Sequence, residues 1–199
     1  MEIRKRIPTG VSLLAAVLLG FSDGQKVAGP YEIVVEHMET CPPKLLDRPF
    51  PVTVSSSRYG HDPHEKYFNG NFTTSLTFDD NVNSAVVFDA WSSRGGWKEN
   101  AVVMKFSRLC SSMSAYLPTV WQHLRTHVYG SRGLIRDCPA PPDTYSVYNL
   151  TTPRSSALIP ALFYGKWRVN LRAFLKEQCF MCIRIVLRVE PKVPPSSQG

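Results

Sequence analysis

The sequence predicts a mainly β protein: an antiparallel β-sandwich tied by disulfides, with one short helix near residues 113–129. Three observations predict it. Apolar residues alternate at period two in run after run, the signature of strands with one buried face. A single stretch switches to helical spacing. The C-terminal part then carries Cys138-Pro139, a Tyr-bearing segment Asp143-Thr144-Tyr145-Ser146, and two alternating runs, the second opening at Cys182.

Tyr31, Ile33 and Val35 alternate in the first predicted strand. Phe50 to Val54 is short and broken by prolines, which suits a sheet edge. Phe72, Leu76 and Phe78 point one way, with Thr73, Ser75 and Thr77 on the other side. Residues 85–91 are apolar on both faces and read as a central strand. Val102, Met104 and Phe106 continue the pattern after a turn. The clearest alternation is Trp167, Val169, Leu171, Ala173 and Leu175, backed by Arg168, Asn170 and Arg172. Ile183, Ile185, Leu187 and Val189 repeat it, backed by Arg184 and Arg188. A turn around Lys176 to Gln178 makes these two a hairpin. The helix rests on Leu117, Trp121, Leu124 and Val128, which recur at spacings of four, three and four. Pro118 fits its first turn, where a missing N–H costs little, and Gly130 can stop it. Pro191 to Gly199 reads as a disordered tail.

The N-terminus bounds the compartment. Arg4, Lys5 and Arg6 precede an apolar run from Val11 to Phe21, too short to span a bilayer but long enough for a signal-peptide core. Ser22 and Gly24 are small residues of the kind a signal peptidase takes, so residues 1–24 are the expected signal peptide, with Gly29 as a second possible end. Residues 25–190 remain as one domain, about 170 residues with a sizeable core. Three basic and two acidic residues leave with the leader, so the formal charge falls from +7 to +6. A secreted, extracellular location permits disulfides, and five cysteines leave one unpaired. Asn71-Phe72-Thr73 and Asn149-Leu150-Thr151 are glycosylation sequons. The basic balance suits an anionic partner; the secretory route and the absence of any recognition-helix or RNA-binding signature argue against nucleic acid.

Motifs of catalysis fail on context. Gly20-Phe21-Ser22-Asp23-Gly24 matches a nucleophile elbow but falls in the signal peptide. His123-Leu124-Arg125-Thr126-His127 spaces two histidines as a zinc helix does, yet Leu124 stands where a protease needs a Glu. His61-Asp62-Pro63-His64 is polar-loop chemistry. No enzyme, metal or cofactor is expected. Trp91 and Trp97 flank a flexible turn and read either as hairpin core or as aromatics at a cavity mouth. Arg168, Arg172, Arg184 and Arg188 share an outward face, either simply solvated or able to dock an anionic membrane surface.

The ordered set resembles a family. Tyr145, Pro160, Gly165-Lys166-Trp167-Arg168-Val169 and the spacing from Trp167 to Cys182 are similar to the late strands of the ganglioside activator family of lipid-recognition proteins. Leu109-Cys110 and Cys138-Pro139 resemble the central block of its insect chemosensory branch, and Tyr31-Glu32-Ile33 through Cys41 their first strand. The resemblance covers about residues 31–190, thinly between 42 and 100. It implies an immunoglobulin-like sandwich opened into a lipid-binding cup, and carriage of a lipid without catalysis. It implies the pairs Cys41–Cys182 and Cys110–Cys138, with Cys179 left over. The chain has fewer cysteines than the lysosomal members, which favours the chemosensory branch over a hydrolase-assisting role. A redox reading of Cys179-Phe180-Met181-Cys182 needs a helix N-terminus and finds a strand.

The expected function is therefore secreted binding or carriage of a lipid or other hydrophobic small molecule, in the chemosensory manner of that branch. The expected cavity wall is Phe72, Leu76, Phe78, Trp91, Trp97, Trp167, Val169, Leu171, Ala173, Ile183 and Ile185. The same alternation also builds a closed core, and then the expected partner is an extracellular receptor.

Overall fold

The computed structural model describes residues 30–47, 52–58, 66–135, 137–151 and 163–192. The expected signal peptide, Phe50, the His61 and His64 loop, Pro160 and residues 193–199 lie outside the described residues. The strands are β1 (Tyr31–Thr40), β2 (Val52–Arg58), β3 (Lys66–Thr74), β4 (Val82–Ser92) and β5 (Gly96–Phe106). Then come α1 (Leu109–Tyr116), α2 (Pro118–Arg125), β6 (Val128–Gly130), β7 (Gly133–Leu134), β8 (Asp143–Thr151), β9 (Gly165–Leu175) and β10 (Gln178–Pro191). They form two five-stranded antiparallel sheets, ordered β1-β10-β9-β4-β5 and β2-β3-β8-β6-β7.

The sheets meet through side chains that the alternation sends inward. Tyr31, Ile33, Phe88, Trp167 and Val189 of the first sheet pack on Phe68 of the second. Phe78 bridges the two, with its ring 5.8 Å from Phe180 and 6.2 Å from Phe72. Each large side chain buried this way contributes about 1.5–3 kcal/mol. The first sheet is thus the predicted one: β1, β4, β9 and β10 carry the expected inward residues, and β9–β10 form the expected hairpin. β2 is an edge strand, as its prolines suggested.

Five expectations need correction. Leu76 and Phe78 do not continue β3. That strand ends at Thr74, whose hydroxyl turns the chain by bonding the Leu76 backbone, and Phe78 returns only as a lone bridge to Ala140. Val102 is exposed, because β5 is the outer strand of its sheet. The single helix is two. Leu117 leaves helical geometry (φ −131°, ψ 48°), as a residue before proline tends to, and Pro118 opens α2. Gly130 does not stop a helix: α2 ends at Arg125, and Val128 is a buried residue of β6. The last strand runs to Pro191, and the Lys192 N–H donates to the Pro30 carbonyl, so residue 191 belongs to the sheet and not to a tail.

Local anchors hold α1 and the β6–β7 hairpin. Arg108, at the N-cap of α1, is left-handed and makes no side-chain cap bond. Asp80 replaces the cap from the preceding turn, accepting from the Ser111 N–H at 2.9 Å and the Ser111 hydroxyl at 2.6 Å. Asp143 does the same for the hairpin, accepting from Ser131 N–H and hydroxyl at 2.8 and 2.7 Å. These Ser bonds hold both carboxyls below their ordinary value of 3.8. Cys110–Cys138 ties α1 to the segment before β8, and Cys41–Cys182 ties β1 to β10. Separations of 28 and 141 residues correspond to about 3.6 and 5 kcal/mol of chain entropy as ceilings. Cys179 is a buried free thiol.

Peptide mapping without reduction should recover Cys41–Cys182 and Cys110–Cys138; a Cys179–Cys182 peptide would refute the arrangement. A lowered carboxyl stabilises the fold fully above its unfolded value and ceases to do so as pH falls through the folded one. Asp80 and Asp143 should therefore contribute to acid unfolding below about pH 4. The double variant Asp80→Asn, Asp143→Asn should show a flatter melting temperature against pH there by circular dichroism. Two parallel profiles would exclude that contribution.

Candidate functional site

The inner face of the first sheet is not packed evenly. At the Trp167 end lies the cluster of Phe88, Trp167, Val169, Leu187 and Val189. At the other end Ala173, Val82 and Phe180 form a second cluster, with Leu76, Phe78 and Leu175 against it. Between them runs one cross-strand row. Register places Met104 opposite Val86, Val86 opposite Leu171, Leu171 opposite Ile183, and Ile183 opposite Thr40. Leu171 is 37% exposed although β9 is the middle strand of its sheet. Val86, Met104, Ile183 and, one row on, Ile185 are only half-buried. A middle-strand leucine on the inward face is ordinarily among the most buried side chains of a sandwich. Here Leu171 itself is left partly open to solvent, while Val86 and Met104 pack against the Trp167 cluster.

The expected wall residues therefore separate into groups. Leu171 is exposed with the partly buried Ile183 opposite it in register, whereas Ile185 packs against the Trp167 cluster. Trp167, Val169 and Ala173 are packed core on either side of Leu171. Phe72, Leu76 and Phe78 belong to the packed ends, Phe72 beside Tyr145 at 5.1 Å. Trp91 and Trp97 do not line the opening at Leu171. Ala90 and Trp167 face inward, so Trp91 faces outward, 47% exposed and 5.2 Å from Trp97. Neither the hairpin-core nor the cavity-mouth reading of the pair holds. Val86 and Met104 were missed; their place follows from pairing register, which a single strand's pattern does not contain.

The outer face of the same sheet corrects the arginine row. Asp89 is buried, and both of its carboxylate oxygens accept hydrogen bonds. Its Oδ2 accepts from Arg168 Nε at 2.8 Å and Asn170 Nδ2 at 3.1 Å, and its Oδ1 from the Asn100 N–H at 2.8 Å. Asn170 Oδ1 accepts in turn from Arg184 Nε at 2.8 Å. Arg184, also buried, has Glu39 at 3.9 Å, and Arg168 stacks on the Trp97 ring at 4.7 Å. Burial, with Arg168 nearby, pulls the Arg184 guanidinium below its ordinary pKa. Arg188 pairs with Glu36 at 2.8 Å and Glu190 at 3.2 Å. Arg172 donates to the Leu45 carbonyl and lies over Phe174. This is not a solvated row: three of the four charges are matched within the fold, and two of those arginines are largely covered. The sequence hid it because the matching acid sits inside an apolar run.

A cleft of about 880 Å3, open to solvent, lies between α2, the β6–β7 hairpin and the start of β8. Leu134, Ile135 and Pro141 give it an apolar floor, and Arg125 is held to Asp137 at 2.7 Å on its rim. Tyr145 backs it. Its hydroxyl donates to the Pro141 carbonyl, the upstream backbone bond of a tyrosine corner, and burial raises its pKa. Tyr145 and Ala140 also pack on Phe72 and Phe78, so the cleft abuts the inner core. Sequence patterning gave no signal for it.

The histidine pair is structural. His123 Nε2 bonds the Thr151 carbonyl and His127 Nδ1 the His123 carbonyl, both at 2.8 Å, with the rings 4.4 Å apart. Among the described residues no three His, Cys, Asp or Glu side chains group to hold a metal, and no helix is long and apolar enough to cross a membrane. Cys179 and Cys182 lie on one strand, with Cys182 bonded to Cys41. The chain matches no protein-family model and no curated protein.

Asp89→Ala would leave Arg168 and Arg184 covered without their acid, and should destabilise the fold by about 3–5 kcal/mol in chemical denaturation. A loss under about 1 kcal/mol, the scale of an exposed pair, would show that the network is not buried in solution.

Proposed function

We propose that the protein is a secreted, non-catalytic carrier that binds a lipid or other hydrophobic small molecule between its sheets. One observation carries this reading: Leu171, on the middle strand's inward face, is left open between two packed clusters. In register on either side of it stand the partly buried Ile183 and Val86, so the row that Leu171 occupies is apolar across the sheet. Each methylene that such a surface removes from water contributes about 0.8 kcal/mol, so an acyl or hydrocarbon chain is held without polar contacts or a catalytic group. The resemblance of the late strands to the ganglioside activator family and its chemosensory branch supports the same reading. Two disulfides support export, as does the apolar run Val11 to Phe21 after Arg4, Lys5 and Arg6, the pattern expected of a signal peptide.

The test uses two tryptophan substitutions two residues apart on β9. Leu171→Trp fills the opening. It should reduce uptake of a fluorescent fatty-acid probe several-fold while leaving the melting temperature close to the parent's. Ala173→Trp enters the packed cluster around Val82 and Phe180. It should overpack and cost about 1–3 kcal/mol. A parent that takes up no probe, together with a Leu171→Trp form as destabilised as Ala173→Trp, would establish a closed core, and an extracellular receptor would become the partner to seek.

A further inference from the structure

The outward face of the second sheet differs from every other surface described. Its central residues are Thr53 and Ser55 of β2, Asn69 and Asn71 of β3, and Ser146 and Tyr148 of β8. None is charged, in a chain where a fifth of the residues are. All but Ser146 line a shallow groove of about 300 Å3, together with Gly70 and Val147, and its wall includes Tyr148, 63% exposed. Both sequons border it. Asn71 lines the groove and pairs in register with Ser146. Asn149 is brought alongside by its own N–H, which donates to Asn69 Oδ1 at 2.9 Å. The sequon hydroxyl of Thr73 lies 3.0 Å from that of Thr144 on the same face.

We propose that this groove is the seat of the protein's own N-linked glycan: the oligosaccharide on Asn71 folds back along the sheet and rests its first sugar on Tyr148. The chemistry fits a neutral saccharide. The C–H face of a pyranose is apolar and packs on an aromatic ring, while amides and hydroxyls supply donors and acceptors for its hydroxyls without any charge. A charged ligand would find no counter-charge among these side chains. In the covalent step, the export route's transferase acts on a lipid-diphosphate-linked oligosaccharide. The bond from the sugar's anomeric carbon to the diphosphate oxygen breaks, a bond to Asn71 Nδ2 forms, and the displaced amide proton leaves with the diphosphate. Once attached, the sugar is at about millimolar effective concentration over the groove, which favours it over any free saccharide there. The inference depends on export and is independent of lipid uptake.

The experiment uses the full chain secreted from eukaryotic cells. Peptide mass mapping should find a glycan on Asn71, absent in Asn71→Gln. In the intact protein the N-acetyl methyl signal of the Asn71-linked sugar should be shifted upfield by the Tyr148 ring. Tyr148→Leu should abolish that shift and raise the rate of native enzymatic deglycosylation at Asn71 several-fold. Tyr148→Phe keeps the ring and should keep both signatures, which separates stacking from misfolding. Uptake of the fatty-acid probe should be unchanged in both. An unmodified Asn71 would overturn the proposal. So would a glycan whose signal and release rate are the same in the parent and Tyr148→Leu.

Discussion

The first sheet depends on one buried acid. Asp89 stands at a bulge, where β4 shifts register against β5 between Phe88 and Ala90, and the shift aims its carboxylate at the Asn100 N–H. From there it fixes Arg168 and Asn170 of β9, and through Asn170 it fixes Arg184 of β10. Three adjacent strands are thus cross-braced on their outer face by bonds that burial strengthens. Close by, Cys41–Cys182 fastens the fourth strand, β1, to β10, and the turn Pro43–Leu45 leads into a segment covering that end, where Asp47 accepts from the Cys179 N–H.

That brace bears on the inner face. The inward face of a sheet in a sandwich is ordinarily filled by side chains of the sheet opposite, so an unfilled position in its middle invites collapse. Here the stiffness comes from outside. Around Leu171 the other side of the same strands is firmly buried at Ala85, Val87, Asn170 and Cys182. The basic balance of the chain looks different in this light as well. Arg168, Arg184 and Arg188 answer to Asp89, Glu39, Glu99, Glu36 and Glu190, so their positive charge is internal structure more than a surface for anionic partners.

Much of this sheet was legible in the sequence. Period two at Tyr31–Val35, Trp167–Ala173 and Ile183–Val189 names strands that are present, with most of their inward residues buried. What alternation cannot carry is what lies across the ladder. Whether Arg184 is solvated or buried depends on Asn170 and Asp89, which reach it only through pairing register. The same holds for the opening: Leu171 and Ala173 look identical in pattern, and only their cross-strand neighbours decide that one is open and the other packed. Thr74 shows a third limit. Its side chain competes for the backbone and ends β3 before Leu76 and Phe78, at the polar position in the period-two series Phe72, Thr74, Leu76, Phe78.

An open apolar row carries a cost, and the cost bears on its purpose. Exposed Leu171 and partly buried Val86, Met104, Ile183 and Ile185 each forgo part of the roughly 25 cal/mol per Å2 that full burial would supply. A larger residue opposite them, or a closer approach of the sheets, would recover it, and both are small changes for a chain to acquire. A brace that holds the sheet rigid while leaving that surface uncovered is therefore wasted in a closed core and useful in a binding protein. A hydrophobic guest supplies the missing burial and stabilises only the folded state, by about 2.7 kcal/mol at a hundredfold excess over its Kd. On the carrier reading proposed above, such a guest would complete the core at Leu171.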